Sequence, residues 1–258
     1  NYNYYRPFVV RMNNSGNFTW VKSIAPSTSA HVILEDMAVQ ENGEVNLLWK
    51  SYGVNTLDEH TVGATDGCST GAHCNQAIMG SINASGNWTG GISMIAYKDP
   101  INLFDQTASY LMMERLSGGV LIISMWMNSD VQEIKISETS YWFNTSCSYD
   151  SIVLFRLDKN NLTIKSSREI CPILDNSLYQ AHNGNRMKID SQDRLWLFLG
   201  NSHYSLEGRY SGIMRMDDNF NTDFRENFTQ SNGPTSTFTF RWQGICFDTN
   251  DNVYARAY

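Results

Sequence analysis

The stretch "RMNNSGNFTW" (Arg11–Trp20) returns as "SINASGNWTG" (Ser81–Gly90), and more loosely as "RLDKNNLTI" (Arg156–Ile164) and "RMDDNFNT" (Arg215–Thr222). Each copy is an apolar run, a cluster of Asn, Asp, Ser or Gly, and a second run rich in Thr and aromatics. That is the pattern of two antiparallel strands around a tight turn. Asn and Asp can hydrogen-bond their own backbone two residues on, and Gly16 and Gly86 adopt φ > 0 at little steric cost, so the chain reverses there.

A second unit alternates with the first. It reads "EDMAVQENGEVNLLWK" (Glu35–Lys50), "YLMMERLSGGVLIISM" (Tyr110–Met125), "NRMKIDSQDRLWLFLG" (Asn185–Gly200) and "QGICFDTNDNVYARAY" (Gln243–Tyr258). Val45, Val120 and Leu195 are spaced 75 apart, Val253 follows 58 later, and Met37, Met112, Met187 and Ile245 stand eight residues before each anchor. Two hairpin types occur four times each, and no long 3.6-residue apolar period competes with them. The expected fold is all-β, a single domain over residues 1–258. Its architecture is a β-propeller of four blades, each of four antiparallel strands. Residues 5–24 would complete a blade begun by residues 240–258, so that pairing of the terminal hairpins closes the ring. A β-sandwich, or part of a larger propeller, is the alternative.

"SGNFTW" followed by "MAVQENGEVNLLWKS", together with "FDTNDNVYARAY", resembles the short bacterial-type β-propeller repeat, in which a G-N-x-x-W hairpin alternates with a D-x-x-G-N-V-Y hairpin. The resemblance spans nearly the whole chain. It implies a blade and no particular activity, and the later copies depart from it, with Gly90 and Ile164 in place of Trp20. The S-x-D-x-G-x-x-W spacing of sialidase Asp boxes is not met.

Composition sets limits on function. Among 258 residues 17% are charged and the formal net charge is −7, which excludes the clustered basic footprint of a nucleic-acid binder or a protein drawn to anionic lipid. No apolar run approaches the roughly 18–20 residues that span a bilayer. The start "NYNYYRPF" carries no signal-like pattern and reads as a mature or trimmed terminus. It is also a candidate for strand addition to a neighbouring subunit.

Five cysteines lack zinc-finger spacing. Cys147 and Cys171 flank residue 159 inside the third turn and are expected to face each other across that hairpin as a disulfide. Cys68 and Cys74 are expected to close the loop "CSTGAHC", and Cys246 to be a buried apolar residue. N-glycosylation acceptors stand at Asn13, Asn17, Asn83, Asn87, Asn144, Asn161 and Asn227, mostly in the repeated turns. Cysteines and acceptors together imply an extracellular or cell-surface compartment.

The connections 51–76, 95–109, 127–150, 168–184, 201–211 and 225–241 are long, and long loops on a rigid scaffold are where binding resides. They hold the candidate binding residues Asp58, His60, His73, Trp126, Trp142, His182, His203 and Tyr204. Histidines and carboxylates there suit metal or acid–base chemistry, and exposed rings stack on sugars. No H-E-x-x-H, G-x-S-x-G or phosphate-loop motif is present, so no catalytic residue, metal or cofactor is assigned. "DKNN" and "DDNFN" resemble acidic calcium loops without the full EF-hand pattern. Arg11, Arg156 and Arg215 recur at one repeat position, where pairing with a carboxylate of the next blade is expected. The reading is a non-enzymatic module for surface recognition, adhesion or assembly. Its partner is a glycan or protein ligand, or copies of itself. A secreted carbohydrate-active enzyme working through the long-loop carboxylates and histidines is the alternative.

Overall fold

The structure, a computed structural model, describes residues 7–26, 32–52, 54–58, 60–62, 75–97, 109–117, 121–127, 133–136, 139–142, 151–158, 162–170, 186–199, 210–229 and 242–257. Described elements are strands β1 (Phe8–Met12), β2 (Phe18–Ser23), β3 (Ala25–Pro26), β4 (Val32–Val39), β5 (Val45–Tyr52), β6 (Asn55–Leu57), β7 (His60–Val62), β8 (Asn75–Ile82), β9 (Trp88–Tyr97), β10 (Ser109–Arg115) and β11 (Leu121–Met127). They continue with β12 (Glu133–Ile136), β13 (Thr139–Trp142), β14 (Ser151–Leu157), β15 (Ile164–Ile170), β16 (Arg186–Ile189), β17 (Leu195–Leu199), β18 (Tyr210–Met216), β19 (Thr222–Thr229), β20 (Trp242–Phe247) and β21 (Val253–Ala257). The fold is all-β and antiparallel, with no α-helix among the described residues.

All eight repeated turns join adjacent strands of a sheet, and most share one geometry. In the turn of β1–β2 the amide of Gly16 donates to the carbonyl of Asn13, and the amide of Asn13 donates to the carbonyl of Asn17. The Asn13 side-chain oxygen accepts from the amides of Ser15 and Asn17. The same four bonds recur around Asn83, Asp190, Asp217 and Asp248. The fourth residue takes positive φ, whether it is glycine (Gly16, Gly43, Gly86) or not (Asp193, Phe220, Asp251). Phe220 is bulky for that region, but its side chain is fully buried in a core cluster, and packing over-determines the backbone. The turn after Asp158 is one residue longer, with Leu162 at positive φ.

Register corrects one expectation. Val45 faces Ile82 and Leu195 faces Met216, so the second strand of each inner hairpin opens opposite the last residue before the outer turn. In the second repeat Leu121 takes that place, facing Leu157. The anchor is therefore Leu121 and not Val120, and Met113, 2% exposed, aligns with Met187 where the spacing had pointed to Met112. Met113 and Leu121 keep the eight-residue separation of the other inner hairpins, and the anchors Val45, Leu121 and Leu195 are thus 76 and 74 apart (121 − 45 and 195 − 121).

The chain divides into two compact units, Asn1–Leu111 with Asp130–Asn144, and Met112–Ser129 with Thr145–Tyr258. In the first, β4-β5-β8-β9 run in sequence within one six-stranded sheet, extended by β12 and β13 along the edge of β9. The hairpin β1-β2 and the small sheet β3-β6-β7 complete the unit. Its core gathers Val45, Leu47, Trp49, Ile78, Ile82 and Trp88 with Ile24, Leu57 and Val62, and Val9 and Trp20 of the first hairpin pack against it. Trp49 and Trp88 meet edge to face at 6.2 Å between ring centroids. Asn46 and Leu48 lie on the opposite side of β5 and are also buried, so both faces of that strand are covered. Buried Asn46 donates to Ser81 Oγ at 2.6 Å and accepts from Gln40 at 2.9 Å, which satisfies its amide.

The second unit holds the four-stranded sheets β10-β11-β14-β15 (from Met112 onward) and β16-β17-β18-β19, and the hairpin β20-β21. Leu116, Ile152, Leu154 and Ile170 of one sheet pack on Met187, Leu195, Leu197, Leu199, Met214 and Met216 of the next. On its other face Trp196 and Phe198 pack on Trp242, Ile245, Phe247 and Val253. Phe198 and Trp242 stand edge to face at 5.3 Å. Every fully buried Leu, Ile or Phe contributes roughly 1.5–3 kcal/mol relative to exposure, so these clusters carry the fold.

The connections read as long loops are partly strands. Residues 51–76 contain β6 and β7, and 127–150 contain β12 and β13, with Ile134 opposite both Ala96 and Tyr141. Ile134 and Ile136 are buried, alternating with polar neighbours, but the Ser and Thr content of "EIKISETSYW" conceals that period. Cys246 was expected to be buried and is an exposed free thiol, because it lies on the side of β20 opposite Ile245 and Phe247, which face the core.

Candidate functional site

Two of the sequence-chosen binding residues are placed side by side by β6 and β7. Leu57 pairs with His60 across a short turn, and Asp58 at its corner has φ 52°. Asp58 receives Lys22 Nζ at 2.6 Å, and His60 Nε2 lies 3.1 Å from the carbonyl of Trp88. A carbonyl only accepts, so Nε2 carries the proton in that contact. Both groups therefore hold the small sheet to its unit: Lys22 belongs to the first hairpin and Trp88 to the core. Trp126 sits on β11 opposite Ile152, and Trp142 on β13 opposite Glu133. His73, His182, His203 and Tyr204 lie outside the described residues, as do Cys68, Cys74, Cys147 and Cys171. The ladder that was to oppose Cys147 and Cys171 pairs Ile152 with Ile170, which centres it on residue 161, two beyond their midpoint.

The acceptor asparagines occupy defined turn positions. Asn13 and Asn83 open their turns and spend their side-chain oxygen on two backbone amides. Asn17 and Asn87 close those turns and are exposed. Asn227 lies on β19 opposite Gly212, and Asn144 and Asn161 lie outside the described residues.

The recurrent arginines each reach a neighbouring turn or strand. Arg11 donates to the carbonyl of Ala84 at 2.6 Å, and Trp20 Nε1 donates to the same oxygen at 3.3 Å. Arg156 donates to the carbonyl of Asp218, with that residue's carboxylate at 3.5 Å. Arg215 instead pairs with Asp223 of the adjacent strand at 2.9 Å and lies over the rings of Trp196 and Phe224. The expected carboxylate partner on the next sheet is thus only partly realised. Backbone carbonyls of the neighbouring turn accept in its place: Ala84 and Asp218 each stand second in a turn whose own backbone bonds are accepted by its first and last residues.

A further set of links was not singled out from the sequence. Asp193, fourth in its turn, accepts from the amide of Ser117 at 2.7 Å and from its hydroxyl. Asp251, at the same position one hairpin later, accepts from the amide of Ser191 at 3.1 Å and its hydroxyl at 2.6 Å. A Ser second in one turn is thus clasped by an Asp fourth in the next. The signal was present in "LSGG", "DSQD" and "TNDN", but nothing local says that these turns stand side by side.

Between the turns of the two four-stranded sheets lies a cleft of about 340 Å³, lined by Leu116, Ser117, Arg156, Gln192, Asp193, Arg194, Asp217 and Asp218. Arg194 is tied to the buried carboxylate of Asp190 at 2.7 Å, and Trp196 Nε1 reaches that carboxylate at 2.8 Å. Burial pushes the Asp190 carboxyl upward, but the bonds from Trp196, Arg194 and Gln192 outweigh it and hold the group below its ordinary range. The bonds from Asn221 likewise lower Asp217. These carboxylates are acceptors that stay ionised, and most of the lining is engaged in holding turns. Among the described residues no group of three or more His, Cys, Asp or Glu is arranged to hold a metal ion. No helix among them is long and apolar enough to cross a membrane.

No protein-family model matches the chain, and no curated protein matches it.

Proposed function

We propose that the chain is a non-enzymatic, extracellular, N-glycosylated β-propeller module. It engages a glycan or protein surface and assembles with copies of itself. The blade reading rests on three sheets that repeat one inner hairpin followed by one outer hairpin: β4-β5-β8-β9, β10-β11-β14-β15 and β16-β17-β18-β19. Two further hairpins repeat these types, β1-β2 the outer and β20-β21 the inner.

The observation that carries the assembly reading is the exposure of apolar side chains on these two hairpins. Met12 is 52% exposed, whereas its counterparts before the other outer turns, Ile82, Leu157 and Met216, are all 0% exposed. Phe8, Phe18 and Val21 are exposed on the same side of the first hairpin, since Met12 faces Phe18 and Val10 faces Val21. Tyr254 is 57% exposed, whereas its counterpart Trp196 is 8% exposed. The exposed apolar side of the first hairpin is by itself an interaction surface. The cleft beside Asp218 supports recognition of a polar ligand, because it offers hydrogen-bond acceptors and donors on a rigid turn array.

Negative-stain electron microscopy of natively purified protein tests the proposal. Regular assemblies larger than one chain are expected. Discrete particles of single-chain size at micromolar concentration would remove the assembly arm. Mass spectrometry before and after enzymatic deglycosylation tests the modification, with sugar expected on Asn17 and Asn87.

A further inference from the structure

We infer that the cleft of the second unit holds a neutral sugar residue, whose hydroxyls donate to Asp218 and accept from the outer nitrogens of Arg194 and from Arg156. The inference deepens the recognition reading, naming the ligand class and the groups that hold it, and rests on that reading.

The cleft lies wholly inside one compact unit. Its walls are the turn after β10, the β16–β17 turn, the β18–β19 turn and Arg156 of β14. Bonds between these walls fix them. Asp193 accepts from the Ser117 amide at 2.7 Å, and Arg156 Nη1 donates to the Asp218 carbonyl at 2.5 Å. Arg194 Nε is held at 2.7 Å by Asp190, whose side chain is fully buried. Walls ordered before a ligand arrives lose little entropy when it binds. The volume of about 340 Å³ is at the small end of small-molecule sites and suits a sugar ring.

The turn bonds leave a definite set of polar atoms unspent. Arg194 uses only Nε, so Nη1 and Nη2 have no partner among the described residues. Arg156 uses Nη1 and leaves Nη2. The Asp218 side chain is 57% exposed. One of its oxygens accepts from Asn219, and the other stays 3.5 Å from Arg156, longer than a good hydrogen bond. Gln192 commits Nε2 to Asp251 at 3.4 Å and leaves Oε1.

The charges select the ligand. Asp193, Asp217 and Asp218 line the cleft together with Arg156 and Arg194. An anion there meets three carboxylates and a cation meets two guanidiniums, so each faces like charge. Carboxylates only accept and guanidiniums only donate, whereas a hydroxyl does both. Adjacent hydroxyls on one ring therefore serve both kinds of lining group without bringing a charge. Leu116 is the apolar part of the lining, against which C–H groups can rest. No aromatic ring lines the cleft to add stacking, so a single sugar binds weakly.

The test is saturation-transfer NMR on the whole chain with methyl glycosides of neutral hexoses at millimolar concentration, then titration of the strongest. Methyl glucuronoside and methyl glucosaminide are the anionic and cationic comparisons. Neutral glycosides should bind and the two charged ones should bind less. Asp218→Ala removes an acceptor but keeps the carbonyl that holds Arg156. Arg194→Lys keeps a cation beside Asp190 but loses the outer N–H pair. Each should weaken neutral-sugar binding about tenfold or more, with circular dichroism matching the parent. Tighter binding of either charged glycoside would overturn the neutral class. Neutral-sugar binding unchanged in both variants would overturn the cleft as the site and leave the recognition reading standing. No response from any glycoside, together with no binding on a glycan array, would overturn the inference and the glycan arm of that reading.

Discussion

Gly16 and Gly86 occupy the same place in the same Ser-Gly-Asn turn, at φ +81° and +88°, yet replacing them with alanine should have different consequences. A side chain at Gly16 meets nothing within 4 Å. Gly16→Ala therefore carries only the left-handed backbone term, about 1 kcal/mol. At Gly86 the new methyl would stand 2.6 Å from Trp20 Cγ and 2.8 Å from Cδ1. The indole cannot swing away cheaply. It is packed against the first unit's core, and its Nε1 is bonded to the carbonyl of Ala84. Overpacking of this kind costs about 1–3 kcal/mol, so Gly86→Ala should cost about 2–4 kcal/mol in total. Urea unfolding followed by circular dichroism and tryptophan fluorescence measures both variants. The contact is isolated by repeating Gly86→Ala in a Trp20→Ala background, where the loss should fall back to about 1 kcal/mol. Equal destabilisation by Gly16→Ala and Gly86→Ala, or full additivity with Trp20→Ala, would refute the packing of the first hairpin on the Asn83–Asn87 turn.

Asp190→Ala removes a buried carboxylate that holds Arg194, Trp196 and two backbone amides, and should cost about 2–4 kcal/mol by urea unfolding. The folded Asp190 carboxyl lies below its ordinary value, so its contribution is fully present above the unfolded pKa and is lost as pH falls through the folded one. Unfolding midpoints of the parent should thus decline below about pH 4, and Asp190→Ala should decline less steeply. Asp193→Ala should lower stability by about 1–2 kcal/mol through loss of the Ser117 clasp, and Ser117→Ala in the same chain should add little, which a double-mutant cycle reads directly. His60→Ala should cost about 1 kcal/mol through loss of the bond to Trp88 and leave glycan-array binding unchanged; lost binding would move the ligand site to β6–β7.

The sequence by itself determined the turns and therefore the strands. Asn or Asp first and a residue tolerant of positive φ fourth make a reversal wherever they occur, because the bonds that build it lie within five residues. Six of the eight repeated turns open with Asn or Asp (Asn13, Asn83, Asp158, Asp190, Asp217 and Asp248), and with their alternation in type they were enough to specify an all-β chain of paired hairpins. Tertiary structure decided what depends on distant neighbours. The anchor of the second repeat moved from Val120 to Leu121 because register is set by the ladder to β14 and not by a count along the chain. Residues 133–142 became a hairpin because the edge of β9 was available to them. Asp58 and His60 face Lys22 and the Trp88 carbonyl, partners 36 and 28 residues away that no local motif announces. Cys246 and Met12 are exposed at positions whose apolar character reads as buried, because burial requires a neighbouring sheet. For the two terminal hairpins only one face has such a neighbour within the unit that holds it.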